Sequence, residues 1–164
     1  MKVTLDGIAK GYIVDQTVNT LVDDGAERVL IDAGGDIASG GDGSLENPWT
    51  VGVRDPSEPQ GLLASVRLSG ECIATSGDYM QAFTQDRRFH HIIDPRTGYS
   101  PEHTSAVTVI TTSAMGADAL STGMMVLGPT EGFRLMKRLD DTEGVIVTKE
   151  GELMATPGLD DLAV

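Results

Sequence analysis

Ser105-Ala106-Val107-Thr108-Val109-Ile110-Thr111 reads as a strand, and the chain then passes directly into the helical pattern of Ala114 to Leu127. A second helical stretch runs from about Thr130 to Leu139. Gly144-Val145-Ile146-Val147-Thr148 next pairs with Glu152-Leu153-Met154-Ala155 across Lys149-Glu150-Gly151, a hairpin by its turn residues. Upstream, four strand-like segments separated by polar turns (Trp49 to Val53, Leu62 to Leu68, Glu71 to Ser76, Phe89 to Ile93) predict an antiparallel sheet. Arg28 to Ala33 is a short buried strand running into Gly34-Gly35-Asp36, and Ala38 to Pro48 reads as a loop. From Gly7 to Asp24 the apolar residues recur every three or four positions, which predicts an amphipathic helix with Asp6-Gly7 at its cap and Gly25 at its stop. With no internal repeat or low-complexity linker, the expectation is one α+β domain over residues 1–164, a mixed or antiparallel sheet with packed helices.

The 164 residues carry 25 acidic and 12 basic side chains, a formal charge of −13, with 40% hydrophobic and 4% aromatic residues. A chain of this length and composition buries a core without disulfides or a structural metal, and it is neither disordered nor collagen-like. No run approaches the roughly 20 apolar residues of a membrane helix, and Met1 to Asp6 lacks the apolar stretch of a signal peptide. The acidic excess argues against a nucleic-acid partner and against direct contact with an anionic membrane. A phosphorylated ligand would need a divalent metal, a helix N-terminus or a local cation. The single cysteine, Cys72, excludes an internal disulfide and reads as a small buried hydrophobe.

Four places carry candidate chemistry. Asp118 and Thr122 stand one helical turn apart on a common face, and a carboxylate with a hydroxyl offers the hard oxygen donors that Mg²⁺ takes; a solvated face with a back-bonded threonine gives the same pattern. In His90-His91-Ile92-Ile93-Asp94-Pro95-Arg96-Thr97-Gly98, adjacent strand residues face opposite ways, so one imidazole at most enters a given pocket. A partly buried, hydrogen-bonded histidine fits as well, while His103 sits in an apparent loop facing solvent. Lys10 lies near the positive end of the first helix, which is unfavourable unless an anion is close, although a solvated lysine fits too. Ala74-Thr75-Ser76-Gly77-Asp78-Tyr79 gathers hydroxyl and small residues at a strand end, as a binding loop or a turn.

Taken in order, these elements resemble the ApbE-type FAD:protein FMN transferases, once described as thiamine-biosynthesis lipoproteins. Leu5-Asp6-Gly7-Ile8-Ala9-Lys10-Gly11-Tyr12 is similar to that family's opening element, and Asp32-Ala33-Gly34-Gly35-Asp36-Ile37 to its double-glycine element. Ala74 to Tyr79, His91 to Gly98 and Ala117 to Thr122 follow in the family's order, so five motifs stand in register over residues 3 to 128. Thr4 occupies the place of the family's usual first aspartate, Asp6 that of a glycine, and Asp32 that of a common asparagine.

The resemblance implies an α+β, T-fold-like domain lacking the family's N-terminal half, and an Mg²⁺-dependent enzyme that transfers the FMN part of FAD to a threonine hydroxyl of an acceptor protein, releasing AMP. It implies Gly7 (through its carbonyl), Asp118 and Thr122 as metal ligands, His91 as general base, and Thr4, Lys10, Ile92 and Ser121 as FAD contacts. His90 would then be structural. The implied partners are FAD, an acceptor with a target threonine, and either a second copy or a complementing N-terminal segment. Family members act outside the cytoplasmic membrane, often lipid-anchored, which is the localisation the resemblance implies. With water in place of the threonine, the same constellation hydrolyses FAD to FMN and AMP; without the other half, it serves as a flavin-binding module or an inert fragment.

Overall fold

In a computed structural model describing residues 3–58 and 60–159, the elements run α1 (Ala9–Asp23), β1 (Val29–Asp32), β2 (Asp36–Gly40), α2 (Asp42–Glu46), β3 (Trp49–Arg54), β4 (Leu62–Leu68), β5 (Cys72–Gly77), β6 (Thr104–Thr111), α3 (Ala114–Leu127), α4 (Pro129–Met136), β7 (Glu143–Thr148) and β8 (Leu153–Ala155). A six-stranded sheet has the order β1-β2-β5-β6-β7-β8, every pairing antiparallel, while β3 and β4 form a separate two-stranded sheet. The fold is α+β with an antiparallel sheet and packed helices, as the sequence predicts.

β6 is buried at all eight positions because both of its faces are covered. Val107 and Val109 pack against Met124 and Met125 of α3 and Met136 of α4, whereas Ile110 joins Ile73, Val51, Val53 and Val66 on the side of the two-stranded sheet. The alternation of a pleated strand thus sends neighbouring residues into two different cores. Among the described residues no helix is long and apolar enough to cross a membrane.

A third core sets α1 against α3 and the β2 side of the sheet through Val14, Val18, Ala38, Cys72 and Ala114. The helices approach so closely at Gly11 that a Cβ there would run into the Ala114 carbonyl. Asp15 of α1 accepts from the backbone N–H groups of Ala114 (2.7 Å) and Met115 (2.9 Å), and so caps the start of α3 from a neighbouring element. Asp118 reciprocates by accepting from Gly11 N–H at 3.0 Å in the first turn of α1. This exchange fixes the start of α1 against the middle of α3, where Asp118 and Thr122 lie.

Several expected elements differ. Asp6-Gly7 does not cap α1: the helix starts at Ala9 with Ile8 at the N-cap position and no side-chain cap, and the Leu5 carbonyl takes the N–H groups of Ile8 and Ala9. At its other end Gly25 adopts φ 95° and stops the helix as expected. The segment read as a loop from Ala38 to Pro48 contains most of β2 and all of α2. Small polar residues hide β2, whose burial rests on being an interior strand rather than on apolar content. Phe89 to Ile93 is not a strand, because among the described residues only the isolated bridges Ala82–His90 and Asp94–Tyr99 occur there. Nor do the four middle segments share one sheet, since β5 leaves β3 and β4 to enter the larger one. The second helix starts at Pro129, whose missing N–H is harmless at a first helical position, and ends at Met136 rather than Leu139.

Candidate active site

The five motifs converge on one opening of about 740 Å³, between the start of α1, the end of β5, the Asp118–Thr122 face of α3 and the segment His91–Pro95. From α1 and its approach come Thr4, Asp6, Gly7 and Lys10; from α3 come Asp118 and Thr122; from the crossover after β5 come His91 and Ile92. Gly7 and Thr122 are in van der Waals reach, a Cβ on Gly7 falling 3.5 Å from the Thr122 methyl. The Thr122 hydroxyl shares the Ser76 hydroxyl at 2.9 Å, and Ser121 meets the same Ser76 Oγ at 2.9 Å. Ser121, fully buried, stands behind Thr122 and also donates to the Asp118 carbonyl at 3.1 Å.

Asp36 is the residue that sequence reasoning did not single out. It starts β2 directly after Gly34 (φ 71°) and Gly35 (φ 99°), a turn closed by Asp32 Oδ1 accepting from Gly35 N–H at 2.9 Å. The Asp32 carboxylate thereby does what an asparagine side-chain oxygen would do. Asp36 is 2% exposed and pairs through Oδ1 with Lys10 Nζ at 3.2 Å, while Oδ2 is buried with no hydrogen-bond partner. Burial, and then the negative charge of Asp118, push its pKa up to about 6, with Lys10 only partly compensating. Its position at the end of the double-glycine motif was the available signal.

The stability consequence has a definite sign. Between the ordinary value of 3.8 and about 6, folded Asp36 holds a proton that the unfolded chain has released, so its contribution to stability falls as pH rises through that window and is level above it. In the absence of divalent cations, urea unfolding of wild type and Asp36→Asn should diverge between pH 4 and 6 in favour of the variant, by up to about 1.4 kcal/mol per pH unit. Parallel stability profiles would contradict this.

The histidines separate as adjacent residues should. His90 is fully buried, its backbone N–H donates to Ser100 Oγ at 2.9 Å, and Nε2 lies 3.5 Å from the Pro101 carbonyl. Burial holds its imidazole below the usual range. His91 is exposed at the opening, and its ring makes no hydrogen bond among the described residues. Asp94, Arg96 and Gly98 build the turn beneath: Arg96 grips the Asp94 carboxylate through Nε (2.9 Å) and Nη2 (2.8 Å) and reaches the Val126 carbonyl at 3.0 Å. Cys72 is buried as expected, its thiol pushed up to about 12 by burial and the nearby Asp15 charge, which makes it inert. His103 faces solvent.

Residues 1–146 match the ApbE family. The chain belongs to that family. It is 34% identical over 157 residues to an FAD:protein FMN transferase of Klebsiella pneumoniae strain 342, covering 94% of this chain and 48% of the relative. It is 36% identical over 160 residues to the FAD:protein FMN transferase of Escherichia coli strain K12, covering 94% and 44%. Among solved structures, the ApbE protein of Thermotoga maritima superposes with a TM-score of 0.88 at 31% identity, over 99% of this chain and 54% of that one. The apo flavinyl transferase ApbE of Pseudomonas stutzeri gives 0.79 at 34% identity, over 98% and 51%. This ApbE chain therefore spans about half the length of the relatives it matches.

Proposed function

We propose that this ApbE chain carries the phosphate-handling side of a flavin transferase site, where the FMN part of FAD passes to a threonine hydroxyl of an acceptor protein and AMP is released. The observation that carries the reading is the meeting of Gly7, Lys10, Asp118, Thr122 and His91, brought from three separate segments, around one opening.

The donor set suits Mg²⁺. A buried carboxylate, a hydroxyl and a backbone carbonyl are all hard oxygens, and Asp36 Oδ2 adds an unpartnered buried oxygen nearby. Gly7, Asp118 and Thr122 would hold the ion, with substrate phosphate and water completing its shell. When bound, it neutralises charge on the pyrophosphate. Lys10, nearly half exposed despite its pairing with Asp36, supplies a local cation to a phosphate in an otherwise acidic protein. Thr4 and the Ile92 backbone border the same opening and contact FAD in this reading, with Ser121 supporting Thr122 from behind.

His91 takes the proton of the acceptor threonine as its Oγ bonds to the flavin-side phosphorus. The bond from that phosphorus to the bridging oxygen breaks, and AMP leaves with the electron pair. The part of the family domain that this chain does not span completes the flavin end.

The test is titration of FAD into the purified chain with Mg²⁺ and with a chelator, followed by assay of AMP. Metal-dependent binding, with AMP release that rises when a threonine-bearing acceptor is added, is the expected result. Equal binding with chelator present would remove the metal from the reading, and AMP release indifferent to acceptor would make the chain an FAD hydrolase.

A further inference from the structure

The crossover from Asp78 to His103 carries His91 yet contains no regular element, and several of its large apolar residues are exposed, including Phe83 (70%), Tyr99 (66%) and Ile93 (47%). Ile92, buried in the core beneath α3, and His90, fully buried, anchor the chain on either side of His91, but residues 81–89 bury almost nothing, so polar ties must hold that part. Phe83 N–H donates to the Phe89 carbonyl at 2.7 Å and His91 N–H to the Gln81 carbonyl at 3.2 Å. These bonds fold residues 81–91 into an irregular hairpin with His91 on its returning limb and Arg87 near its tip.

We propose that Lys149 is a positioning residue for His91, latching both the base and the tip of this hairpin from outside the active-site opening. Lys149 stands where β7 enters the turn to β8, against a separate cleft of about 310 Å³. Its ammonium donates to Asp78 Oδ2 and to the Arg87 carbonyl (3.0 Å), and its backbone N–H donates to the His103 carbonyl (3.1 Å). One residue thus ties the first residue of the crossover, its tip and its last residue to the central sheet.

The anchor on the other side is equally fixed. Asp78 is 1% exposed, follows directly on β5, and accepts from Ser105 Oγ at 3.1 Å, while its Oδ1 faces Arg87 Nη1 at 3.8 Å. β5 is also the strand whose Ser76 holds Thr122, so the latch refers His91 to the same strand that sets the proposed metal-binding face. Arg87 has φ 56°, a left-handed conformation that a residue with a side chain adopts only when its surroundings require it. Here the Lys149 ammonium on its carbonyl and the Pro56 carbonyl on its guanidinium (2.6 Å) supply the requirement.

The effect on transfer rests on the role of His91 proposed above; the effect on the hairpin does not. Lys149→Met alone would strand a buried carboxylate, so the decisive variant is the charge-neutral pair Asp78→Asn with Lys149→Met, beside the conservative Lys149→Arg. Amide hydrogen exchange is read at Phe83 and His91, with β6 and β7 as internal reference. The paired variant is expected to exchange at least ten times faster at those two amides with β6 and β7 unchanged, and Lys149→Arg to restore protection. At saturating FAD and Mg²⁺ the pair should also lower AMP release at least tenfold, while FAD affinity stays within about twofold. Unchanged exchange at Phe83 and His91 overturns the latch whatever the activity, and so does a faster-exchanging hairpin with undiminished AMP release in a chain whose His91→Ala variant is inactive. If His91→Ala retains activity, the base assignment fails, and the exchange result alone decides the latch.

Discussion

Asp118→Asn is expected to abolish metal-dependent FAD binding while leaving the fold as stable as before. The carboxylate is almost wholly buried and accepts from Gly11 N–H, a bond that an asparagine oxygen makes equally well, so the contact between α1 and α3 survives. Two opposing terms set the stability. Losing a negative charge at the N-terminus of α1 costs about 0.3–1 kcal/mol, whereas removing the charge that opposes Asp36 returns energy of similar order. The melting temperature should accordingly move by no more than a few degrees. Binding is different, because in the proposed metal site no similar compensation exists for a lost anionic ligand. Outer-shell changes at metal sites already cost 10–100-fold, so FAD affinity in Mg²⁺ should fall by about two orders of magnitude or more, to the value wild type shows in chelator. Calorimetric titration and a melting curve on the same sample check both halves; retained Mg²⁺ dependence would remove Asp118 from the metal site.

The same pair of aspartates shows what a sequence does and does not disclose. β6, α3 and the β7–β8 hairpin were legible because each announces itself locally: an apolar run, a helical period, a Lys-Glu-Gly turn. β2 was not, since Asp36-Ile37-Ala38-Ser39-Gly40 becomes a strand only by lying between β1 and β5, and its buried acid is tolerated only beside Lys10. Phe89 to Ile93 has strand-like composition, but the Ser100 hydroxyl takes up both backbone groups of His90 that a ladder would have used. The site divides similarly. Spacing and strand alternation brought Lys10, His91, Asp118 and Thr122 to attention and resemblance added Thr4, Gly7, Ile92 and Ser121; all but Ser121, which is buried behind Thr122, border one opening. The bond from Gly11 to Asp118 spans 107 positions, and no local pattern contains it. Asp36 was missed because its significance lies in proximity to Asp118, a repulsion that stability alone would not retain and that a bound cation would relieve.

His91→Ala should leave FAD and Mg²⁺ binding intact and remove most of the transfer rate. The ring is exposed, makes no hydrogen bond among the described residues and meets only the His90 ring edge-on, so truncating it costs the fold little, within about 0.5 kcal/mol. General-base assistance of this kind contributes about 10²–10⁴-fold, which is the fall expected in single-turnover AMP release with acceptor at saturating FAD and Mg²⁺. The adjacent residue supplies the control. His90→Ala empties a fully buried position, leaving a cavity that costs about 2 kcal/mol or more, so that variant should melt early rather than lose catalysis selectively. The contrast is diagnostic: a structural role for His91 would make both variants unstable, whereas a chemical role makes one of them cold to catalysis at normal stability. A His91→Ala chain that transfers FMN at the wild-type rate would assign the proton to another group, and Asp6, at the rim of the same opening and held at 2.9 Å by the Thr4 hydroxyl, would be the next to replace.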